Sequence, residues 1–329
     1  MTLLKSRRFF GAAALLLACA LPSQHSAAQT FPVKPIRAIL PYSAGSGPDS
    51  VTRTVGEKAA REWGQPLVVD NKPGANGWLA IGETKRAAPD GYTLMTVDAT
   101  HMSLQPHLYK QLPFDPVKDF EPVAGLYTTG FFIVVGADSP YKSVTELLAA
   151  ARTKPGGLTY GSWGIGSVAH VGTAMFESAT KVEMRHIPFK ELPQIYAAVA
   201  TGEVDWAFGT AATAGPLYKA KKVRFLAYGG QKRLNGYLDV PTVAESGGPA
   251  GFELRTWVAL YGPKGIAKPA ADRIGAGVAK ALADADTRDR LANFGFEPWV
   301  ASPADVAKAA EVDKVRYADI VKGAKIALD

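Results

Sequence analysis

Short runs of β-branched residues alternate with helical periodicity along most of this 329-residue chain. Residues 36–40 have the pattern of a strand that stops at Pro41. Apolar residues then recur every four positions up to Gly64, which predicts a helix capped by Asp49 or Ser50. A second series of the same kind begins near Phe131, and no strand is predicted in the proline-rich stretch before it. Alternating strands and helices are typical of α/β folds with largely parallel sheets. The sequence therefore predicts an α/β fold of two lobes with a helical tail.

The first 28 residues have the pattern of an export signal. Three basic residues precede an apolar run, Phe9–Leu21, that is too short to span a bilayer, and small residues end the segment at Ala28. The start Ser6–Phe10 also fits the twin-arginine route. Leu16–Cys19 resembles a lipoprotein box with Cys19 as the lipid-bearing residue, which is the less favoured alternative. We predict a signal peptide over 1–28 and an exported protein; the periplasm as its location is implied by the family resemblance given below.

Composition narrows the class of protein further. Apolar residues make up 47 % and charged residues 20 %, which is typical of a globular chain. Cys19 is the only cysteine, so the processed chain would have no disulfide and no thiolate. The formal charge of +7 falls to +4 when Lys5, Arg7 and Arg8 leave with the leader. No basic run marks a nucleic-acid surface, so no nucleic-acid partner is expected.

Two glycine-rich loops occupy matching positions, each after a predicted strand and before a predicted helix. The first is PYSAGSGPD (41–49) and the second is GSWGIGS (161–167). Glycine permits tight turns and close approach of a ligand, and a helix start presents unpaired N–H groups and a positive dipole end. Each junction can therefore bind an anion without a cationic side chain. The alternative is that these glycines and serines only form turns.

The loops do not match nucleotide-binding motifs, and no catalytic or metal motif is present. The first loop has no third glycine and no following lysine, and the chain has no G-x-S-x-G elbow. His101 and His107 are not at zinc-ligand spacing, and His170, early in a helix, is more typical of a packed or capping residue. We expect no cofactor, no metal and no catalytic residue. Aromatic residues near the strand ends fit either a flat ligand or the core; they are Tyr42, Trp163, Trp206 and Phe208.

At these residues the chain resembles the Bug-type periplasmic solute-binding proteins of tripartite tricarboxylate transporters. The resemblance covers almost the whole chain after the leader. It rests on FPVKPIRAILPYSAGSGPD (31–49), GQPLVVDNKPGANG (64–77), APDGYTLMT (88–96), LPFDPVKDFEPVA (112–124), LTYGSWGIGSVAH (158–170) and DVPTVAES (239–246).

The resemblance implies a two-lobed, type II-like periplasmic-binding-protein fold that closes on its ligand by a hinge. Lobe 1 would comprise 29–126 plus 253–329, and lobe 2 would comprise 127–252. A monomer is expected, with a small carboxylate as ligand and the integral-membrane permease subunits of the transporter as partners. The implied ligand-binding residues are Tyr42, Ser43, Ala44, Gly45, Ser46, Gly47, Asp49, Asp98, Thr100, Ser162, Trp163, Gly164, Ile165, Gly166, Ser167, His170, Phe208, Gly209 and Thr210.

Several positions depart from the family pattern. Trp163, Ile165 and Val168 stand where small polar residues are common, which favours an aromatic or apolar-bodied carboxylate such as a phthalate isomer. Asp98 stands where an uncharged residue is usual, and it would repel a ligand carboxylate unless it points away or meets a donor. An exported hydrolase or lyase on the same architecture, and a soluble sensor that presents its ligand, are the alternative functions.

Overall fold

Eleven strands and ten α-helices are present in the computed structural model, which describes residues 31–190, 192–324 and 326. The signal peptide over 1–28, the twin-arginine start and Cys19 lie outside the described residues. The strands are β1 Ile36–Leu40, β2 Leu67–Asn71, β3 Thr93–Asp98, β4 Phe120–Gly130, β5 Phe132–Gly136, β6 Thr159–Ser162, β7 Arg185–Pro188, β8 Trp206–Gly209, β9 Val223–Tyr228, β10 Arg255–Pro263 and β11 Glu297–Pro298.

The helices connect these strands and cover the sheets. They are α1 Gly47–Trp63, α2 Trp78–Lys85, α3 Gln105–Leu108, α4 Val144–Thr153, α5 Val168–Thr180, α6 Leu192–Thr201, α7 Ala211–Lys219, α8 Lys268–Ala283, α9 Ala285–Asn293 and α10 Pro303–Ala324. A 3₁₀ turn spans Ala75–Gly77 and a π turn spans Thr100–Leu104. No helix of the described part is long and apolar enough to cross a membrane.

The strands form two mixed sheets. The first has the order β11-β4-β10-β3-β1-β2, in which β1, β2 and β3 are parallel and β10 runs antiparallel between β3 and β4. The second has the order β7-β6-β8-β5-β9, in which β6, β7 and β8 are parallel and β5 is antiparallel to both its neighbours. The predicted mixture of strands and helices with parallel pairing is confirmed.

A short ribbon joins the two sheets. Only Phe131 separates β4 in the first sheet from β5 in the second. The N–H of Phe131 donates to the carbonyl of Leu254 (3.2 Å), and the N–H of Gly229 donates to the carbonyl of Phe131 (2.7 Å). The N–H of Leu254 in turn donates to Gly229 (2.8 Å). We call Phe131, Gly229 and Leu254 the crossing ribbon.

The strand registers place the carboxyl ends of the parallel strands of both sheets at this ribbon. In the first sheet, β4 runs parallel to β3, so its last residue, Gly130, lies at the same edge as the end of β3. In the second sheet, the first residue of β5, Phe132, pairs with Gly209, the last residue of β8. In open α/β sheets, ligands bind at the carboxyl ends of the strands. Both candidate edges therefore meet at one place in the molecule.

Apolar side chains alternate between the two faces of the first sheet. One face packs against α1 and α8 through Val51, Val55, Ile274 and Val278. The other packs against α10, where Tyr317 and Val321 join a cluster that also contains Val171 and Ala174 of α5. Full burial of such a side chain is worth about 1.5–3 kcal/mol. The C-terminal helices therefore stabilise the first sheet, and α10 also contacts the second series.

Two predicted details of the chain path were wrong. The helix α1 begins at Gly47 rather than after Asp49 or Ser50, because Pro48 lies in its first turn and Ser46 is extended at the N-cap position. The stretch before Phe131 forms the long strand β4, in which Pro122 lies at a register irregularity opposite Tyr261.

Other predicted element ends agree with the structure. Gly64 ends α1 in a left-handed conformation, as predicted. The Ser143 side chain accepts from the N–H of Glu146 and caps α4. The Glu146 carboxylate accepts from the N–H of Lys142 rather than from that of Ser143, so only half of a capping box forms.

Candidate functional site

Both glycine-rich loops are closed by the side chain four residues after a glycine. In the first loop, the N–H of Gly45 donates to Asp49 Oδ2 (2.8 Å). In the second, the N–H of Gly166 donates to His170 Nδ1 (3.0 Å). Both glycines have a left-handed φ, +78° and +75°, which side-chain-bearing residues rarely adopt. The two loops thus share one construction, although one uses a carboxylate and the other an imidazole.

Asp49 is the centre of the first loop. Its Oδ1 also accepts from Arg53 Nε (3.0 Å) and from Asn71 Nδ2 (2.9 Å). Burial alone would raise the pKa of Asp49, but the hydrogen bonds from Arg53, Gly45 and Asn71 hold it below its usual value. Asp49 is therefore an ionised group that fixes the loop, with its oxygens already occupied by protein donors.

Two hydroxyl groups of the first loop have no partner within the described residues. The oxygens of Tyr42 Oη and Ser46 Oγ are both buried and make no hydrogen bond. Leaving a buried polar group unsatisfied costs about 1–3 kcal/mol. Ser46 occupies the N-cap position of α1 without using its side chain to cap the helix. Ser46 Oγ is therefore available to a ligand at the start of α1, whereas the Tyr42 hydroxyl also interacts with the Asp98 carboxylate, whose pKa it helps to lower.

The adjacent Gly47 has no room for a side chain. A Cβ at this position would lie 2.7 Å from Phe296 Cζ and 3.6 Å from Tyr127 Oη. The rings of Tyr127 and Phe296 stack with centroids 4.4 Å apart. This aromatic pair packs directly against the start of α1, so Gly47 is required by packing.

Asp98 lies at the carboxyl end of β3 and meets several donors. Its Oδ1 accepts from the N–H groups of Thr100 (3.0 Å) and His101 (3.3 Å), and lies 2.7 Å from His101 Nδ1. Burial opposes ionisation of Asp98, but His101 and these hydrogen bonds lower its pKa. Burial and the Asp98 carboxylate together raise the pKa of Tyr42 and Tyr127 well above the usual value. Asp98 was expected either to point away from the ligand or to meet a donor, and in the structure it meets the donors Thr100 and His101.

A stack of rings lies behind the second loop. The rings of His170 and His186 are stacked and nearly parallel, with centroids 4.2 Å apart and an angle of 8° between their planes. The ring of Tyr160 stacks on that of His186, with centroids 5.0 Å apart. Burial lowers the pKa of His170, and burial together with His170 lowers the pKa of His186 to about 4. Both imidazoles are therefore neutral at pH 7, which leaves His170 Nδ1 free to accept from Gly166.

Ser162 and His186 form a pair with the spacing of a nucleophile and its base. Ser162 Oγ lies 2.6 Å from His186 Nε2 and 3.0 Å from the carbonyl oxygen of Gly164. Ser162 is 0 % exposed, however, and its hydroxyl also accepts from the N–H of Gly164 (3.2 Å). In this conformation the hydroxyl of Ser162 is closed to solvent, so the pair holds the loop in place.

A third strand-to-helix junction follows β8, at residues that the family resemblance places in the ligand site, although the helix α7 itself was not predicted from the sequence. Thr210 caps α7 by accepting from the N–H of Thr213 (3.2 Å), and Thr213 Oγ1 accepts in return from the N–H of Thr210 (3.0 Å). The hydroxyl of Tyr196 lies 2.9 Å from Thr213 Oγ1. Phe208 is buried in the core with Trp206, their rings 5.1 Å apart, so only its main chain can face a ligand.

The implied site residues differ in exposure. Ser43, Ala44, Gly45 and Ile165 are exposed; Tyr42, Ser46, Gly47, Asp98, Thr100, Trp163, Gly164, His170 and Thr210 are half-buried; Asp49, Ser162, Gly166, Ser167, Phe208 and Gly209 are buried. All of them lie at the carboxyl ends of β1, β3, β6 and β8 or in the segments that follow these ends. Their contact with a ligand stays a prediction.

Sequence reasoning missed three neighbours of these loops. Tyr127 lies in β4, which was not predicted, and nothing in the local pattern indicated that His186 would stack on His170. Phe131 of the crossing ribbon stacks on Trp163, with centroids 6.1 Å apart. Among residues 31–190, 192–324 and 326, no group of three side chains could hold a metal ion.

Comparison with known proteins identifies the family. The family described as "Tripartite tricarboxylate transporter family receptor" matches residues 51–326. The chain belongs to this family. A Cupriavidus necator protein, described as a UPF0065 protein in the gbd 5' region, is 35 % identical over 312 residues, which is 94 % of each chain.

Solved structures of similar proteins share the fold of this chain. An R. palustris protein with adipate has a TM-score of 0.83 and 28 % identity, and the match covers 91 % of this receptor-family chain and all of the other. The periplasmic binding protein BugD has a TM-score of 0.79 and 27 % identity, with the same coverage. The fold of this receptor-family chain is that of the periplasmic binding proteins.

Proposed function

We propose that this receptor-family protein captures a small organic carboxylate in the periplasm and delivers it to the membrane permease subunits of a tripartite transporter. The observation that carries the proposal is the pair of matching glycine loops, one from each sheet, whose strand ends meet at the crossing ribbon. The start of a helix follows each loop and favours negative charge. The adipate bound to the R. palustris neighbour supports a carboxylate as the ligand class.

The unpartnered hydroxyls support a polar ligand group at the first loop. Neither Tyr42 Oη nor Ser46 Oγ makes a hydrogen bond to the described protein, so each can donate to a ligand, whereas Asp49 and His170 already have partners. Direct contacts are therefore assigned to Tyr42 and Ser46, and a positioning role to Asp49 and His170.

The body of the ligand is proposed to be aromatic or otherwise apolar. Trp163 is half-buried and stacks on Phe131 beside the second loop, so one part of the indole stays open at the edge where the sheets meet. Ile165 in the same loop is 52 % exposed. Such side chains favour a flat or apolar ligand body over a small, fully polar acid.

Binding from both sides would stabilise a closed state. Lobe 1 is proposed to comprise 29–126 and 253–329, lobe 2 to comprise 127–252, and the crossing ribbon to be the hinge. A ligand that contacts both lobes has differential affinity for the closed state and shifts the population towards it.

A melting screen with matched acids and amides tests the proposal. Benzoate, terephthalate, adipate, citrate and glutamate are each compared with the corresponding neutral amide. At a hundred times its Kd, a true ligand adds about 2.7 kcal/mol, which raises Tm by roughly 4 °C for a chain of this size. A rise with one or more acids and none with their amides is expected. No rise with any acid, or an equal rise with the amides, would overturn the proposal.

The same samples separate a carrier from a hydrolase or lyase. A carrier returns its ligand unchanged after long incubation, whereas an enzyme converts it. The buried Ser162–His186 pair gives the enzyme no accessible nucleophile.

A further inference from the structure

Asp98 is the last residue of β3, which lies between β10 and β1 in the first sheet. Asp98 and Tyr127 both pair with Val258, from opposite sides, so their side chains lie on the same face. The ring of Tyr42 meets the ring of His101 edge-on, with centroids 5.7 Å apart. Tyr42, Asp98 and His101 therefore form one cluster, the Asp98 cluster, beside the first glycine loop.

The two oxygens of Asp98 have different surroundings. All three hydrogen bonds to the carboxylate end on Oδ1. No hydrogen bond of the described residues ends on Oδ2, and Oδ2 is not among the buried atoms that lack a partner. The Tyr42 hydroxyl lies close enough to Asp98 to help lower the pKa of that carboxyl, so it is the protein group with which a ligand donor would share this carboxylate. Because the Asp98 side chain is 19 % exposed, Oδ2 is accessible from the edge where the parallel strands end.

No fixed cation offsets the charge of Asp98. Within the described part of the chain its one ion-pair partner is His101, and the nearby Arg53 is bound to Asp49 and Asn71. A carboxylate placed next to Oδ2 would meet a like charge in a partly desolvated site. A hydroxyl or ammonium group would instead donate a charge-assisted hydrogen bond to it.

The second loop, unlike the Asp98 cluster, carries no negative charge. It has no acidic side chain from Gly161 to His170, and α5 begins there with N–H groups that have no intrahelical acceptor. The His170 and His186 rings behind it add no negative charge. A ligand carboxylate is therefore favoured at the second loop and disfavoured at the Asp98 cluster.

We propose that Asp98 is a specificity-determining residue: the ligand has one carboxylate, bound at the second loop, and a hydroxyl or ammonium donor at its other end, bound by Asp98 Oδ2. This inference rests on the proposed function and narrows it. It predicts that a dicarboxylate such as a phthalate isomer binds less tightly than the hydroxy acid or amino acid of the same length.

Isothermal titration of length-matched acids tests the inference. The probes are 4-hydroxybenzoate, 4-aminobenzoate, 4-(aminomethyl)benzoate and terephthalate, together with 6-hydroxyhexanoate, 6-aminohexanoate and adipate. The native protein is expected to bind the best donor acid of a set at least about tenfold more tightly than the dicarboxylate, the usual range for one hydrogen bond to a charged group. Preference among the hydroxyl and amino acids identifies the donor.

The variant Asp98→Asn isolates the charge, because an amide oxygen can still accept from Thr100 and His101. We expect it to lower the donor-to-dicarboxylate affinity ratio by about tenfold or more. The control Asp205→Asn removes a carboxylate at the opposite end of the second sheet, where Asp205 Oδ2 binds the N–H of Thr159 (2.7 Å), and is expected to leave the ratio unchanged. Circular dichroism and melting of both variants report whether each one folds.

The outcomes separate the two proposals. Equal or tighter binding of the dicarboxylate by the native protein, or an unchanged ratio in folded Asp98→Asn, would overturn the role of Asp98 and leave the carboxylate carrier intact. If Asp98→Asn does not fold, the donor-to-dicarboxylate ratio of the native protein decides the matter: a ratio of about ten or more supports the role of Asp98, and a ratio of one or less overturns it. Binding of none of these acids, nor of any in the melting screen, would overturn both.

Discussion

The imidazole rings of His170 and His186 lie 4.2 Å apart in a parallel stack behind the second glycine loop. Because the pKa of His186 falls to about 4 and that of His170 is also lowered, the unfolded chain binds more protons than the folded one below the ordinary value of 6.5. The free energy of unfolding should therefore fall as the pH drops from about 6.5 towards about 4, and then level off as far as these groups are concerned.

Urea unfolding at a series of pH values checks this. His186→Gln is expected to flatten the slope between about pH 6.5 and 4. A slope equal to that of the native protein would show that these rings do not cause it. Carboxylates with a lowered pKa, such as Asp49, lose their contribution only at lower pH.

Removing the unpartnered hydroxyls should affect binding without affecting stability. Tyr42→Phe and Ser46→Ala each delete an oxygen that makes no hydrogen bond to the described protein. We expect unfolding free energies within about 0.5 kcal/mol of the native value, or higher, and ligand affinity reduced by about 0.5–1.5 kcal/mol for each hydroxyl.

Tyr196→Phe is the matched control for these variants. Its hydroxyl lies 2.9 Å from Thr213 Oγ1 and 3.3 Å from the carbonyl oxygen of Phe208, so its loss should reduce stability by about 1 kcal/mol. Denaturant melts and calorimetric titration of all three variants make the comparison. Loss of stability in Tyr42→Phe without loss of affinity would contradict the assignment.

Asp49→Ala should loosen the first loop. It removes the acceptor for Gly45, Arg53 and Asn71, and we expect a loss of about 1–3 kcal/mol together with weaker binding. Asp286→Ala, a half-exposed carboxylate paired with Lys58 and Arg290, is the control and should cost about 0–1 kcal/mol. Native affinity in Asp49→Ala would show that the loop does not need this closure.

Gly130→Ala should disturb the end of β4 next to the crossing ribbon. A Cβ at Gly130 would overlap the phenol of Tyr228, and overpacking of this kind costs about 1–3 kcal/mol. Gly323→Ala in α10, where a Cβ meets nothing within 4 Å, should be neutral or stabilising. Thermal unfolding compares the two, and an equal effect would contradict the close approach at Gly130.

Local signals along the chain predicted most elements of the fold. Four-residue periodicity and Gly64 predicted the body and the end of α1, although not its first residue. The strand β4 was missed because Pro116 and Pro122 suggest a loop, whereas Pro122 is tolerated at a register irregularity against β10. Pairing with a strand more than a hundred residues away has no local signature.

The candidate site, like the fold, was predicted from the sequence only in part. The two glycine loops were identified from sequence, because strand, glycine and helix start are adjacent in the chain. Which side chains close the loops could not be read from the pattern, since Asp49 and His170 differ in chemistry but occupy equivalent positions. The donors to Asp98 and the stacking of His186 on His170 depend on tertiary packing alone.

The placement of β10 between β3 and β4 constrains the order of assembly. Residues 255–263 are synthesised after all five strands of the second sheet, so a nascent chain that ends before them leaves β3 and β4 each with an open hydrogen-bonding edge. The first sheet therefore cannot be completed until β10 has been synthesised. Truncation before residue 255 should therefore yield a chain that aggregates, even though it contains both glycine loops.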